Sequence, residues 1–160
     1  MKKRILSIML FLAGIIAGAE IVTCQRVRQH KKDYAVIMKN DSIIKMFNQW
    51  LIIKQEGKSV DAYFKENNYK KIAIYGMGYA GRRLLDDLKG TGIEVVYTVD
   101  RKMNNVSAET ELISKEEIPW KPQVDIIVVT AITFFSDIEE ELCDMVDCPI
   151  ISMEDIIYEL

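Results

Sequence analysis

The sequence predicts an α/β protein: a doubly wound, mostly parallel sheet of about five strands, preceded by an N-terminal membrane helix and two short helices. Three observations carry this. From residue 70 onward, short β-prone apolar runs alternate with amphipathic helical stretches, the grammar of a parallel sheet covered on both faces. Ile126, Ile127, Val128 and Val129 form a continuous apolar run, as a central strand buried on both sides requires. A glycine-rich turn joins the first of these strands to the helix behind it.

At 160 residues the chain holds one domain of ordinary size plus a short extra segment. Its 49% hydrophobic and 28% charged residues exclude a disordered chain, a collagen-like repeat and a multi-pass membrane protein. The net charge of −3 conceals an asymmetry: residues 1–32 are strongly basic and residues 33–160 are acidic. An acidic body argues against nucleic acid as a partner, because phosphate neutralisation needs a basic face. Three scattered cysteines, Cys24, Cys143 and Cys148, read as reduced thiols, and a single histidine, His30, leaves no zinc set.

Residues 1–24 read as a transmembrane anchor. Lys2, Lys3 and Arg4 precede a long uncharged run, and the apolar stretch resumes after Glu20. The total of roughly twenty positions spans a hydrocarbon core as a helix. A cleaved signal peptide is the alternative, with Ala17, Gly18 and Ala19 as its small-residue site. Arg26, Arg28, Lys31 and Lys32 favour retention as a single-pass protein, although Lys2, Lys3 and Arg4 oppose them and charge alone sets the orientation weakly. A cytosolic nucleotide ligand, read from the glycine turn, puts the C-terminal domain on the cytoplasmic side; cleavage would export that domain instead. Residues 25–40 read as a basic juxtamembrane linker and 41–69 as a helical preamble. In the preamble Ile43, Phe47, Trp50 and Leu51 recur at helical spacing up to Gly57. Ser59 is placed to cap a shorter helix carrying Val60, Tyr63 and Phe64.

Residues 70–160 form the sheet domain. Strand one covers 71–75; Ala80, Leu84, Leu85 and Leu88 then share one helix face until Gly90 stops the helix. Strand two covers 94–99 and a weak third strand 110–114. The residues between them are too few for a crossover helix, so a loop or single turn must join them. Strand four covers 125–130. Ser136 and Glu139 have capping-box spacing for a helix that turns Ile138, Leu142, Met145 and Val146 inward. Strand five covers 149–152, and a terminal helix starts at Met153.

Gly76, Met77, Gly78, Tyr79, Ala80 and Gly81 complete a G-x-G-x-x-G pattern between a strand and a helix, and Asp100 follows at the end of strand two. Each part has a physical role in holding a dinucleotide. Gly76 permits the tight turn, Gly78 lets backbone N–H groups approach a pyrophosphate, and Gly81 allows close helix–strand packing. The phosphates would rest on the helix N-terminus, whose dipole and unpaired N–H groups favour anions. Asp100 would accept hydrogen bonds from a ribose diol. It favours NAD by repelling a 2′-phosphate, while Arg101 beside it keeps NADP open. Thr130, at the end of strand four, would face the same crevice. Arg82 and Arg83, cations at the positive end of that helix, would be relieved by a bound diphosphate.

Several stretches carry a family resemblance: Lys71 to Gly78 with the glycine turn, Tyr97 to Arg101, Asp125 to Ala131, and Cys148 to Ile157. Together they resemble the Rossmann-type nucleotide-binding modules of bacterial surface-polysaccharide biosynthesis proteins, the nucleoside-diphosphate-sugar epimerase-like group. Residues 48–59 are similar to the preamble of its short, membrane-anchored members. The resemblance implies a nucleotide ligand, NAD or a nucleotide-sugar, and polysaccharide-biosynthesis enzymes as partners.

Catalysis is less well supported. Short-chain sugar epimerases use a Tyr-x-x-x-Lys pair, and here Tyr79 and Tyr97 are followed at that distance by Arg83 and Arg101. A guanidinium does not deprotonate to share that role. Ile74 stands where methyltransferases usually carry an acid, and no Gly-x-Ser-x-Gly occurs. The expectation is a binding module without a reaction of its own; the alternatives are an epimerase- or reductase-like subunit completed by a partner, and a scaffold with no ligand.

Overall fold

A computed structural model describes residues 2–101 and 110–160, with side chains from residue 25 onward. The chain divides into two compact units, Met1–Asp41 and Ser42–Leu160. Helix α1 (Lys2–Gln55) runs through the 25–40 stretch without a break, where a linker is expected. That stretch contains neither Gly nor Pro, and most of its residues are good helix formers. Its basic, exposed character sets its solvation and leaves its backbone helical. The anchor expectation for residues 1–24 rests on side chains outside the described set. Among the described residues no helix is long and apolar enough to cross a membrane.

Within Ser42–Leu160, α1 is followed by the short helix α2 (Asp61–Glu66). Ser59 does not cap it through its hydroxyl; Val60 holds the N-cap position, and the Ser59 carbonyl accepts the Ala62 N–H at 3.0 Å. Five strands then form one sheet: β1 (Lys71–Tyr75), β2 (Glu94–Val99), β3 (Glu111–Ile113), β4 (Ile126–Val129) and β5 (Ile150–Ser152). All pairs are parallel, in the order β3-β2-β1-β4-β5. The fold is therefore α/β and Rossmann-like. The chain moves outward from β1 to β3, then returns to β4 on the other side of β1, so the order reverses between β1 and β4. Tyr75 is level with Val99 on one side and Val129 on the other, which brings three strand ends to a common edge.

Alternation along the strands sends side chains to two cores. Ile72, Ile74, Ile126 and Val128 pack with Met46, Trp50 and Ile53 of α1 and with α2. The same core takes Leu84, Leu85 and Leu88 of α3 (Tyr79–Leu88) and Met153, Ile156 and Ile157 of α5 (Met153–Glu159). On the other face Ala73, Tyr75, Ile127 and Val129 meet Ile138 and Leu142 of α4 (Phe135–Leu142). Met145 and Val146, expected inward, are partly buried there.

One further local reading differs from expectation. Ser136 does not cap α4, because a 3-10 turn at Ile132–Phe134 runs straight into the helix and puts Phe134 at the N-cap. The capping box forms instead at Ser114 and Glu117, on a 3-10 helix at Lys115–Trp120 that precedes β4. Residues 102–109, which include most of the β2–β3 connection, lie outside the described residues.

Asp125 fixes the start of β4 to the start of β1. Its carboxylate accepts the N–H groups of Lys70 at 2.6 Å and Lys71 at 2.8 Å. Those two backbone bonds, Lys71's first, hold its carboxyl below the ordinary value of 3.8. A carboxylate with a depressed folded pKa stabilises fully above its unfolded value and loses that contribution as pH falls through the folded one. Asp125→Ala is therefore expected to lower the urea midpoint at neutral pH. It should also flatten the loss of stability from about pH 4 downward, read from midpoints across pH.

Candidate nucleotide site

After β1 the chain turns at Gly76, whose φ of 98° lies in the region that side-chain-bearing residues disfavour. The turn is held from both sides. Gly76 N–H donates to the Val99 carbonyl at 2.8 Å, and Thr130 N–H donates to the Tyr75 carbonyl at 2.9 Å. The Thr130 hydroxyl donates to the Gly76 carbonyl and lies 3.2 Å from the Tyr75 oxygen. Thr130 thus sits at the expected edge, with its hydroxyl engaged in clamping the turn.

The three motif glycines answer to different constraints. A Cβ on Gly76 would lie 3.0 Å from Thr130 Oγ1 and 3.2 Å from the Ala131 nitrogen. A Cβ on Gly81 would lie 2.1 Å from the Gly76 carbonyl oxygen, a backbone atom that cannot rotate away. Helix α3 therefore approaches β1 as closely as the motif implies. At Gly78 a Cβ would meet nothing within 4 Å among the described residues. Gly78 is the N-cap of α3, with no side-chain cap among the described residues and no acidic residue in the first turn. The first turn of that helix thus contributes no carboxylate, and the nearest one described is Asp100, which reaches the Met77 N–H just before the N-cap.

The remaining motif residues divide by role. Met77 buries its side chain in the core and donates its N–H to Asp100 Oδ2 at 2.7 Å. Asp100 thereby ties the end of β2 to the glycine turn. Ala80 is buried, while Tyr79 is 88% exposed at the mouth of the turn. Arg82 Nε donates to the Met77 carbonyl at 3.3 Å, and Arg83 pairs with Asp86 at 2.9 Å. Both arginines thus have protein partners, which differs from a pair awaiting an anion. Arg101 reaches Glu141 on α4 at 3.5 Å, and Lys115 bonds the same carboxylate at 2.6 Å. That Lys115 bond, with Arg101 adding to it, holds the Glu141 carboxyl below the usual range.

A cavity of about 250 Å³ opens beside the turn at the carboxyl edge, between β1 and β4. Gly76, Gly78 and Thr130 form one side of it. The facing walls are Ile43, Met46 and Phe47 of α1 and the segment from Ile132 to Phe134. Asp100 and Arg101 lie outside its lining. The α1 residues have no counterpart in the motif; helical spacing marks them as one face, and only the packing of α1 brings that face to the strand ends. A second cavity, of about 270 Å³, lies at the amino ends of β4 and β5 and includes Tyr97 and Cys148. Burial pushes the Tyr97 phenol up to about 12 and raises the Cys148 thiol. Both stay protonated near neutral pH, which suits neither a general base nor a nucleophile.

No curated protein matches the chain. Residues 68–156 match the family model described as C2185-like, N-terminal. That match takes in all five strands, the glycine turn and Asp100. With more than half of its length in the match, the chain belongs to the C2185-like N-terminal family.

Proposed function

We propose that this chain is a membrane-anchored nucleotide-binding module, with NAD as its ligand, that serves bacterial surface-polysaccharide or glycan biosynthesis and catalyses no reaction alone. NADP or a nucleoside-diphosphate sugar is the alternative ligand. The observation that carries the reading is Gly78. A Cβ at 76 or 81 would meet close neighbours, whereas at 78 it would have none within 4 Å among the described residues. A ligand phosphate drawn against the uncapped start of α3 supplies a reason for glycine there. The strand-order reversal lies beside that point, at the edge where open α/β sheets hold their ligands. Asp100 adds a carboxylate at the end of β2, suited to a ribose diol. The anchor rests on the apolar and basic patterning of residues 1–32, and the cytoplasmic side on the ligand, a cytosolic metabolite.

Calorimetric titration of the full chain in detergent, with NAD, NADP and UDP- and dTDP-sugars, tests the reading. NAD is expected to bind about tenfold more tightly than NADP, and Asp100→Asn, which keeps an acceptor for the Met77 N–H, to weaken NAD and erase that preference. Silence from every nucleotide, with the protein folded by circular dichroism, would leave an anchored scaffold.

A further inference from the structure

We propose that the cavity at the amino ends of β4 and β5 is a saccharide site, which holds one neutral sugar ring against the Tyr97 hydroxyl. The proposal goes beyond the nucleotide reading and does not depend on it. The glycine turn lies at the opposite, carboxyl edge of the sheet.

Tyr97 lines the cavity and is only 2% exposed. No hydrogen bond to a described residue engages its hydroxyl, which is nevertheless not sealed away as the Tyr75 hydroxyl is. The Cys148 thiol beside it is a weak donor and a weak acceptor. Leaving a buried hydroxyl unmet is costly, so this one favours a ligand that can meet it. Because the phenol stays protonated near neutral pH, it offers both a donor and an acceptor.

The other walls decide the ligand class. Ile118, Pro119, Pro122, Val124, Met145 and Val146 supply apolar surface. Lys121, Gln123 and Asp147 complete the polar part, the last two at exposed positions. Lys121 is already paired with Glu111, whereas Asp147 has no ion pair among the described residues. A phosphate or carboxylate ligand would therefore meet a like charge with no free cation to offset it. A hydrocarbon would seal in the Tyr97 hydroxyl without a partner. A neutral pyranose answers both demands. Its C–H face covers the proline and valine surface, and its hydroxyls exchange hydrogen bonds with Tyr97, Gln123 and Asp147.

At about 270 Å³ the cavity falls just below the roughly 300–1,000 Å³ of complete small-molecule sites. It therefore takes one ring, either a free sugar or the end of a glycan. Pro119 and Pro122 stiffen the backbone of this wall, which lowers the entropy lost on binding. Trp120, between the lining residues Pro119 and Lys121, is 86% exposed and gives a second ring an aromatic face.

The test is calorimetric titration of the full chain, in a detergent without a sugar headgroup. The probes are the methyl glycosides of glucose, galactose and N-acetylglucosamine, with maltose as a two-ring ligand and glucuronic acid as an anionic control. At least one neutral glycoside is expected to bind, and glucuronic acid about tenfold more weakly. Tyr97→Phe keeps the ring and its packing and should weaken the glycoside by about tenfold. Gln123→Ala, at an exposed position, should weaken it several-fold without touching the core. Trp120→Ala should weaken maltose and leave the methyl glycosides unchanged, which separates a glycan end from a free sugar. NAD affinity should be the same in all three variants. Silence from every neutral glycoside, with the protein folded by circular dichroism, would overturn the proposal. Binding indifferent to Tyr97→Phe and Gln123→Ala, or tightest binding by glucuronic acid, would overturn it as well. Silence from NAD alone would remove the nucleotide reading and leave the saccharide site standing.

Discussion

Gly81→Ala is expected to disrupt the close approach of α3 to β1. The added methyl would sit 2.1 Å from the Gly76 carbonyl oxygen and 3.1 Å from Thr130 Oγ1. No rotamer change relieves a clash with a backbone oxygen, so α3 must move away from β1. That movement pulls Leu84, Leu85 and Leu88 out of a core they share with Ile72 and Ile74. Overpacking of flexible sites costs about 1–3 kcal/mol, and a backbone clash belongs at or above the top of that range. Domains of this size hold only about 5–15 kcal/mol in reserve. The urea midpoint should fall sharply, and a midpoint equal to the parent's would refute the close approach.

Gly78→Val should behave in the opposite way. Nothing among the described residues lies within 4 Å of its new Cβ, and its φ of −71° suits any residue. The stability change is expected to stay within about 1 kcal/mol, the scale of losing a glycine N-cap. NAD affinity should nevertheless fall by about a hundredfold or more, because the branched side chain occupies the approach to the α3 N-terminus. Two glycines three residues apart are thus separable by experiment: one answers to the fold, the other to the ligand. Undiminished binding by a folded Gly78→Val protein would remove the main support for the nucleotide reading.

Much of this arrangement is legible in the residues. The strands announce themselves because parallel strands buried on both faces need unbroken apolar runs, and 126–129 and 72–75 supply them. Gly76 and Gly81 are legible because each answers a demand of the backbone. Other features depend on neighbours that pattern does not name. Ser-x-x-Glu occurs at both 114 and 136, and only the former caps a helix. The 3-10 turn at Ile132–Phe134 starts α4 before Ser136 is reached. The basic stretch 25–40 resembles a linker by composition, yet lacks any residue that breaks a helix. Ile43, Met46 and Phe47 show a helical face, and periodicity does not say that this face closes a cavity at the strand ends.

The bond from Met77 N–H to Asp100 has a bearing on how this site can evolve. On the nucleotide reading, exchanging Asp100 for a neutral residue is the shortest mutational route from NAD to a 2′-phosphorylated cofactor. An exchange that removes the acceptor unties the turn from β2, so a drifting lineage meets a stability deficit before it gains a new specificity. Asp100→Asn would keep an acceptor for Met77 while shedding the charge, which makes it the passable intermediate. On that reading a change of cofactor at position 100 is coupled to the integrity of the turn, and a variant that switches needs a compensating anchor for the Met77 N–H.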